Sequence, residues 1–346
     1  MTPNGVPIPP ERARAAAEVA TIFKPGTRIV LTTHVNADGD GVGSEIGLWH
    51  LLRARGVPAT IANPTGIPER FDFLVPEGAD ASDRAVREIE RADAIVVLDI
   101  GDLSRLGDLG HAVRHRAVPT ACIDHHVSPG SLPPGPRLVA PEATATAELV
   151  FDLASALTWP LTPESARALY VGILTDTGGF RFSNTSARAL RVAAALLERG
   201  VDPEGIYEAV YASAPEGRVR LTAEVLQTLV VEPELGLAWV TVPPDALERH
   251  QATADDLDGI VEFPRSIAGV RLALLFRQIA NGRIKVSFRS MGAVDVAELA
   301  HQFGGGGHKK AAGASFEGPM GEVEAKVLAA ARAFVREHGE RRATKR

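Results

Sequence analysis

Hydrophobic residues fall along the chain in short unbroken runs separated by amphipathic stretches, and each kind of run predicts a different element. Arg28–Thr33, Ala94–Leu98 and Pro119–Ile123 are apolar or β-branched almost throughout, the pattern of strands buried on both faces. Helical spacing runs from about Gly43 to Arg55, closed by Gly56. It recurs over Ala143–Leu157, Pro163–Thr175 and Ser186–Glu198, the last closed by Gly200, with Thr162 and Thr185 placed as N-caps. Strands alternating with helices predict an α/β domain whose sheet is mostly parallel and flanked by helices. Val201–Arg218, with Pro203 and Pro215, reads as a connection containing some helix. Beyond it, strands at Ala238–Val242, Val270–Arg277 and Ile284–Phe288 are expected, the last two joined by a turn at Asn281–Gly282. Helical runs follow at Val296–Gln302 and Val323–His338, giving a smaller mixed α/β domain. The expected divisions are residues 1–200, a connection at 201–218, a second domain at 219–340 and a basic tail at 341–346.

Composition narrows the class. Hydrophobic residues are 45% and charged residues 23% of 346, a globular balance with enough material for two cores. No stretch reaches the ~18 apolar residues of a membrane span, and Met1–Pro10 is proline-rich without a signal pattern, so a cytoplasmic protein is expected. The single cysteine, Cys122, has no partner for an internal disulfide, and Ala121 and Ile123 beside it predict a packing role. A net charge of −6 argues against a broad basic face for long duplex nucleic acid. The acid is unevenly placed: residues 1–218 hold 20 basic against 27 acidic side chains, a net −7, and the remainder is +1. Carboxylates gathered around divalent cations would account for that excess.

Candidate chemistry sits where the runs end. Thr33–Ser44 contains His34, Asp38 and Asp40 just after the first strand, and lacks the Glu twelve residues along that an EF-hand loop needs. Asp99 closes the next strand, with Gly101, Asp102 and Arg105 after it; Asp124-His125-His126 closes the third, and Asp176 ends a helical run. A single such Asp reads equally well as a turn or helix cap, but four element ends carrying acid and imidazole point to one centre. In open parallel sheets, ligands bind beyond the carboxyl ends of the strands. Oxygen and imidazole donors without thiolate suit Mn²⁺, Mg²⁺, Fe²⁺ or Co²⁺, and the mixed set leans to manganese. Two such ions ~3.5–4 Å apart would serve a phosphoryl transfer. Further on, Gly304-Gly305-Gly306-Gly307-His308-Lys309-Lys310 reads as a loop whose backbone N–H groups approach an anion, with Arg289 as a bidentate phosphate grip.

Taken together, His34-x3-Asp38-x-Asp40, Asp99, Asp124-His125-His126, Asp176 and Gly304–His308 resemble the DHH phosphoesterase superfamily with its DHH-associated C-terminal domain, and within it the branch called NrnA. The resemblance covers roughly residues 15–335. It implies a DHH domain and a smaller substrate-binding domain with the active-site cleft between them. One Mn²⁺ would be held by His34, Asp38 and Asp99 and a second by Asp40, Asp99, His125 and Asp176, with Mg²⁺ or Co²⁺ as alternatives. Asp124 would orient a neighbouring imidazole, and His126 would meet the reacting phosphate or leaving oxygen. Arg105, Arg289, Gly305, Gly306, Gly307 and His308 would contact substrate. Gly41 stands where the family pattern has Ala, and Ile100-Gly101 where it has small polar residues. The implied activity is hydrolysis of short RNA oligonucleotides to mononucleotides and of 3′-phosphoadenosine-5′-phosphate (pAp) to AMP, with a homodimer admitted and neither membrane nor long duplex nucleic acid as partner. Alternatives are a linear or cyclic dinucleotide phosphodiesterase, a RecJ-like single-strand exonuclease, a family II pyrophosphatase, and, in another class, a non-catalytic nucleotide-binding protein.

Overall fold

Five strands carry the first half of the chain: β1 (Ile29–Thr32), β2 (Ala59–Ile61), β3 (Ala94–Leu98), β4 (Thr120–Asp124) and β5 (Arg137–Val139). In this computed structural model the described residues are 4–126, 130–279 and 282–343, without the side chains of His308 and residues 338–343. The strands pair in the order β2-β1-β3-β4-β5, all parallel. The chain leaves β1 on one side to make β2 and crosses to the other side for β3. The order therefore reverses between β1 and β3, which opens a crevice at their carboxyl ends.

Alternation along the strands fills two cores. Ile29, Leu31, Val96, Leu98, Ala121 and Ile123 face α1 (Pro10–Val19), α2 (Gly39–Arg53), α5 (Thr146–Ala156), α6 (Pro163–Asp176) and α7 (Ala187–Leu197). Val30, Ile95 and Val97 face α3 (Ala85–Arg91) and α4 (Leu109–His115). Cys122 is buried in β4, and burial pushes its thiol pKa up. The two edge strands, of three residues each, give no alternating signal and were not expected.

Capping explains where the helices depart from expectation. α2 begins at Gly39, earlier than Gly43, because the Asp38 carboxylate accepts the N–H groups of Asp40 (3.0 Å) and Gly41 (3.1 Å). Thr162 caps α6 in a reciprocal box with Ser165. At α7 the cap is Ser186, whose hydroxyl accepts from Ala189 N–H at 3.0 Å, in place of Thr185.

Gly39, Gly43 and Gly47 form a ridge down one side of α2, spaced four apart, and α6 lies against it. A Cβ on Gly43 would stand 2.4 Å from the Ala168 carbonyl oxygen and 2.8 Å from Gly172 N, so the two backbones touch. The contacts run from Gly39 with Thr175 to Gly47 with Leu169, so the helices are antiparallel and the start of α2 meets the end of α6.

The chain divides into two compact units, Met1–Ser213 and Ala214–Arg346. α8 (Pro203–Tyr211) ends the first, and α9 (Glu216–Gln227) begins the second. The second unit holds β6 (Val230–Glu232), β7 (Leu237–Thr241), α10 (Ala246–Arg249), α11 (Glu262–Arg265), β8 (Leu272–Gln278), β9 (Ile284–Ser290), α12 (Val296–His301), β10 (Gly306–His308), β11 (Ala311–Phe316) and α13 (Met320–Ala343). Its sheet runs β10-β11-β9-β8-β7-β6, antiparallel except for the β7–β8 pair. Leu274, Phe276, Val286 and Phe288 pack with α12 and α13 on one face; Ala273 and Leu275 pack with α9–α11 on the other.

The glycine run is not the open loop its composition suggests. Residues 306–308 form an edge strand on β11. A Cβ on Gly305 would meet the Gly313 carbonyl oxygen at 2.2 Å and one on Gly307 the Ala311 carbonyl oxygen at 2.5 Å, so glycine is demanded by close packing of main chain on main chain. Asn281 of the expected turn and residues 344–346 of the basic tail lie outside the described residues. Among the described residues no helix is long and apolar enough to cross a membrane.

Candidate active site

The crevice between β1 and β3 collects the predicted side chains of the first unit. His34 follows β1 with its ring buried. Its Nδ1 lies 2.9 Å from the Val35 carbonyl oxygen, which leaves Nε2 as the outward nitrogen. That Nε2 is buried with no hydrogen-bond partner among the described residues, 3.8 Å from Asp38 Oδ2 and 3.7 Å from Asp99 Oδ2. Gly41 makes room here, since a Cβ would stand 2.7 Å from Thr33 Oγ1, a local reason for the departure from Ala.

Asp99 sits just past β3 at φ 56°, a left-handed conformation that costs a non-glycine residue about 1–3 kcal/mol. Its carboxylate is buried, and Oδ1 accepts the Thr146 hydroxyl at 2.9 Å. Asp40, in the first turn of α2, accepts N–H from Thr146 (2.6 Å) and Ala147 (2.9 Å), the N-terminus of α5. Asp176 closes α6, and its Oδ2 accepts the Asn184 side-chain amide at 3.1 Å. His125, beyond β4, places Nδ1 3.3 Å from the Ala143 carbonyl oxygen. Its Nε2 lies 3.7 Å from Asp40, 3.5 Å from Asp99 and 3.9 Å from Asp176.

Asp124 has a different task. Its Oδ1 accepts His126 Nδ1–H at 2.7 Å and His126 N–H at 3.1 Å, while Oδ2 accepts Gly101 N–H at 2.8 Å. His126 Nε2 then lies 3.3 Å from Arg105 Nη1. Three groupings of ligand atoms, each within 4.8 Å, could hold a metal ion: His34–Asp38–Asp99, Asp40–His125–Asp176 and Asp99–His125–His126. In the third, the Asp124 bond already occupies His126 Nδ1.

The charges are ill at ease without a cation. Burial, then Asp99, Asp176 and Asp38, push the Asp40 pKa well above the usual carboxylate range. Burial and Asp38 raise Asp99 against the opposing pull of His125, His126 and His34. Burial, opposed by His125 and reinforced by Asp99, pushes Asp176 up to about 6. At the other pair, burial disfavours both charges, yet the His126 hydrogen bond lowers Asp124 and the Asp124 bond raises His126.

Two family models match this chain: the DHH family, N-terminal domain, over residues 28–173, and the DHHA1 domain over residues 237–337. The bifunctional oligoribonuclease and PAP phosphatase NrnA of Thermus thermophilus is 35% identical over 326 residues, covering 93% of this chain and 94% of its own. The chain belongs to the DHH family, in its NrnA-like branch. DHH proteins of this kind are hydrolytic phosphoesterases, and so is this chain. An exopolyphosphatase-related protein from Bacteroides fragilis has the same fold with a TM-score of 0.87 at 30% identity, covering 92% of this chain and 96% of its own. A manganese-bound RecJ exonuclease, at TM-score 0.53 and 19% identity over 95% of both chains, is alike in fold alone.

Of the residues singled out in the DHH domain, His34, Asp38, Asp40, Asp99, His125 and Asp176 converge, with Asp124, His126 and Arg105 beside them. Arg289, Gly305, Gly306 and Gly307 belong to the DHHA1 unit. There Arg289 Nε is 3.3 Å from Glu262 Oε1. Arg289 and His308 both pair with Ala311 across adjacent strands, and the His308 side chain lies outside the described residues. Thr146 and Asn184 were missed. A hydroxyl ahead of the apolar run Leu149–Leu153 signals a helix start, and Asn184 gives no local signal at all.

Proposed function

We propose that this DHH enzyme uses two Mn²⁺ ions to hydrolyse very short oligoribonucleotides to mononucleotides and pAp to AMP. The observation that carries the reading is the position of Asp99, whose Oδ2 faces His34 and whose Oδ1 faces His125. His34, Asp38 and Asp99 would hold one ion; Asp40, Asp99, His125 and Asp176 would hold the other. The donor set fits: His34 Nε2 is buried and bare, and the acids are raised by burial and by one another. Separations of 3.5–3.9 Å also suit atoms each about 2 Å from a shared ion better than they suit hydrogen bonds. Oxygen with imidazole, and no thiolate, favours Mn²⁺, with Mg²⁺ or Co²⁺ as substitutes.

When bound, the ions supply positive charge to the phosphate and make a water acidic enough to attack it. The chain supplies the rest. Asp124 fixes the tautomer of His126 and raises its pKa, so His126 can carry a proton to the leaving oxygen. Arg105 stands at His126 Nε2, where it would attract the substrate phosphate to that imidazole. Arg289 would grip a second phosphate of a short substrate. The Thermus relative's activities on oligoribonucleotides and PAP support this choice of substrates.

The test is hydrolysis of end-labelled RNAs of 2 to 24 nucleotides and of pAp, with Mn²⁺ and Mg²⁺ in parallel. Dimers and pAp should be consumed with Mn²⁺ and 24-mers only slowly. Equal rates on dimers and 24-mers would transfer the assignment to a single-strand exonuclease.

A further inference from the structure

The two groupings of ligands are held by different means. His34 and Asp38 lie four residues apart, and their bonds are local: His34 Nδ1 to the Val35 carbonyl, Asp38 Oδ1 to the N–H groups of Asp40 and Gly41. Asp40, Asp99, His125 and Asp176 come from α2, the end of β3, the end of β4 and α6, and one five-residue segment touches the support of all four. The Ala143 carbonyl faces His125 Nδ1. Thr146 and Ala147 N–H donate to Asp40, and the Thr146 hydroxyl donates to Asp99. The Asn184 amide bonds the Thr144 carbonyl at 3.2 Å and the Asp176 carboxylate at 3.1 Å, and the Thr144 hydroxyl returns a bond to the Asn184 carbonyl at 2.9 Å.

Resting on the two-ion reading above, we infer that Ala143–Ala147 with Asn184 is the template for the second ion alone, and that Thr146 and Asn184 are positioning residues for it. At His125 the segment faces Nδ1 and leaves Nε2 to the ion, whereas Thr146 and Asn184 bond Asp40 Oδ2, Asp99 Oδ1 and Asp176 Oδ2, the same oxygens that lie 3.5–3.9 Å from His125 Nε2. Among the described residues it makes no hydrogen bond to His34 or Asp38, so the first ion does not depend on it except through Asp99. Thr146 is fully buried, so an isosteric valine removes the hydroxyl without changing the packing volume.

The test is Mn²⁺ binding to the full chain by calorimetry and electron paramagnetic resonance, with thermal melting as the check on folding. Wild-type should bind two Mn²⁺. Thr146→Val and Asn184→Ala should each keep one ion at wild-type affinity and weaken the other about 10–100-fold, the usual effect of losing a group that orients a metal ligand. Thr146→Ser should restore both. A wild-type chain that binds fewer than two ions would sink the two-ion reading itself. Two ions in wild-type with unchanged affinities in Thr146→Val and Asn184→Ala, or equal weakening of both ions, would overturn the template. If Asn184→Ala fails to fold, the Val and Ser pair at 146 decides.

Discussion

The Asp40 carboxylate closes a helix it does not belong to, accepting the Thr146 N–H of α5 at 2.6 Å. α5 has Ala145 at its own N-cap position, with no side chain to offer, so its first amides are satisfied from α2. The partial positive charge of a helix N-terminus favours a carboxylate there. It does not suffice: burial and three other acids still drive the Asp40 pKa well up.

That imbalance predicts a pH dependence for the metal-free protein. Asp40, Asp99 and Asp176 all have folded pKa values above the unfolded range near 4, so the folded state holds protons more tightly than the unfolded chain. Stability from these groups is present at low pH and is lost as pH rises from about 4 through the Asp176 value of about 6 and beyond. Melting in EDTA should fall across that window, and Mn²⁺ at pH 7 should recover it. A flat or rising melting profile in EDTA would contradict the raised values.

Asp99→Asn should abolish nearly all hydrolysis while the protein still folds. Asparagine takes the left-handed φ of 56° as readily as aspartate, so the change removes charge and adds no backbone strain to what Asp99 already carries. Circular dichroism and turnover of a dinucleotide check it; near-normal turnover would remove Asp99 from the centre of the mechanism.

His125→Ala and His126→Ala should differ in kind. His125 Nε2 faces three carboxylates, whereas His126 Nδ1 is engaged by Asp124 at 2.7 Å. His125→Ala should lose bound Mn²⁺, and His126→Ala should keep it while its rate drops about 10²–10⁴-fold. Elemental analysis beside single-turnover kinetics separates them, and equal metal loss would erase the distinction.

Gly43→Ala should lower stability by about 1–3 kcal/mol through overpacking. The added carbon would stand 2.4 Å from a carbonyl oxygen of α6, and main chain cannot turn aside as a side chain can. Bound Mn²⁺ should fall with it, because the same contact sets Asp40 beside Asp176. Denaturant midpoints and metal content are the readouts.

Arg289→Ala should slow hydrolysis of dinucleotides and pAp by one to two orders of magnitude, since a charged hydrogen bond contributes about 1.5–3 kcal/mol. Metal content should not change, because Arg289 belongs to the second unit, where it meets Glu262 and the Phe288 carbonyl, and the candidate ligands all belong to the first. Equal damage on long and short RNA would count against a phosphate grip for short substrates.

Much of this was written in the sequence in readable form. β1, β3 and β4 are continuous apolar runs, and their ends carry His34, Asp99 and Asp124-His125-His126, so both the parallel sheet and its working edge were legible. What stayed hidden depends on contacts between distant residues. Nothing near Thr146 points to Asp99, 47 positions away, and Asn184 meets Thr144 across 40. The ridge Gly39, Gly43, Gly47 is visible as a spacing, yet only the helix packed on it gives that spacing meaning. The Gly304–Gly307 run misled in the opposite sense, since glycine composition signals freedom and here Gly305 and Gly307 are glycine because they are crowded.

The groups that surround His125 are strung from Asp40 to Asp176, which gives their assembly a place in time. At ~5–20 residues per second, a ribosome needs roughly 7–27 s to add the stretch between them. For most of that interval α2 has no start of α5 to meet, and until its close it lacks the end of α6. His34 and Asp38 emerge almost together, but the nascent chain is blind to a cation at His125 until the last helix of the set has left the tunnel and docked.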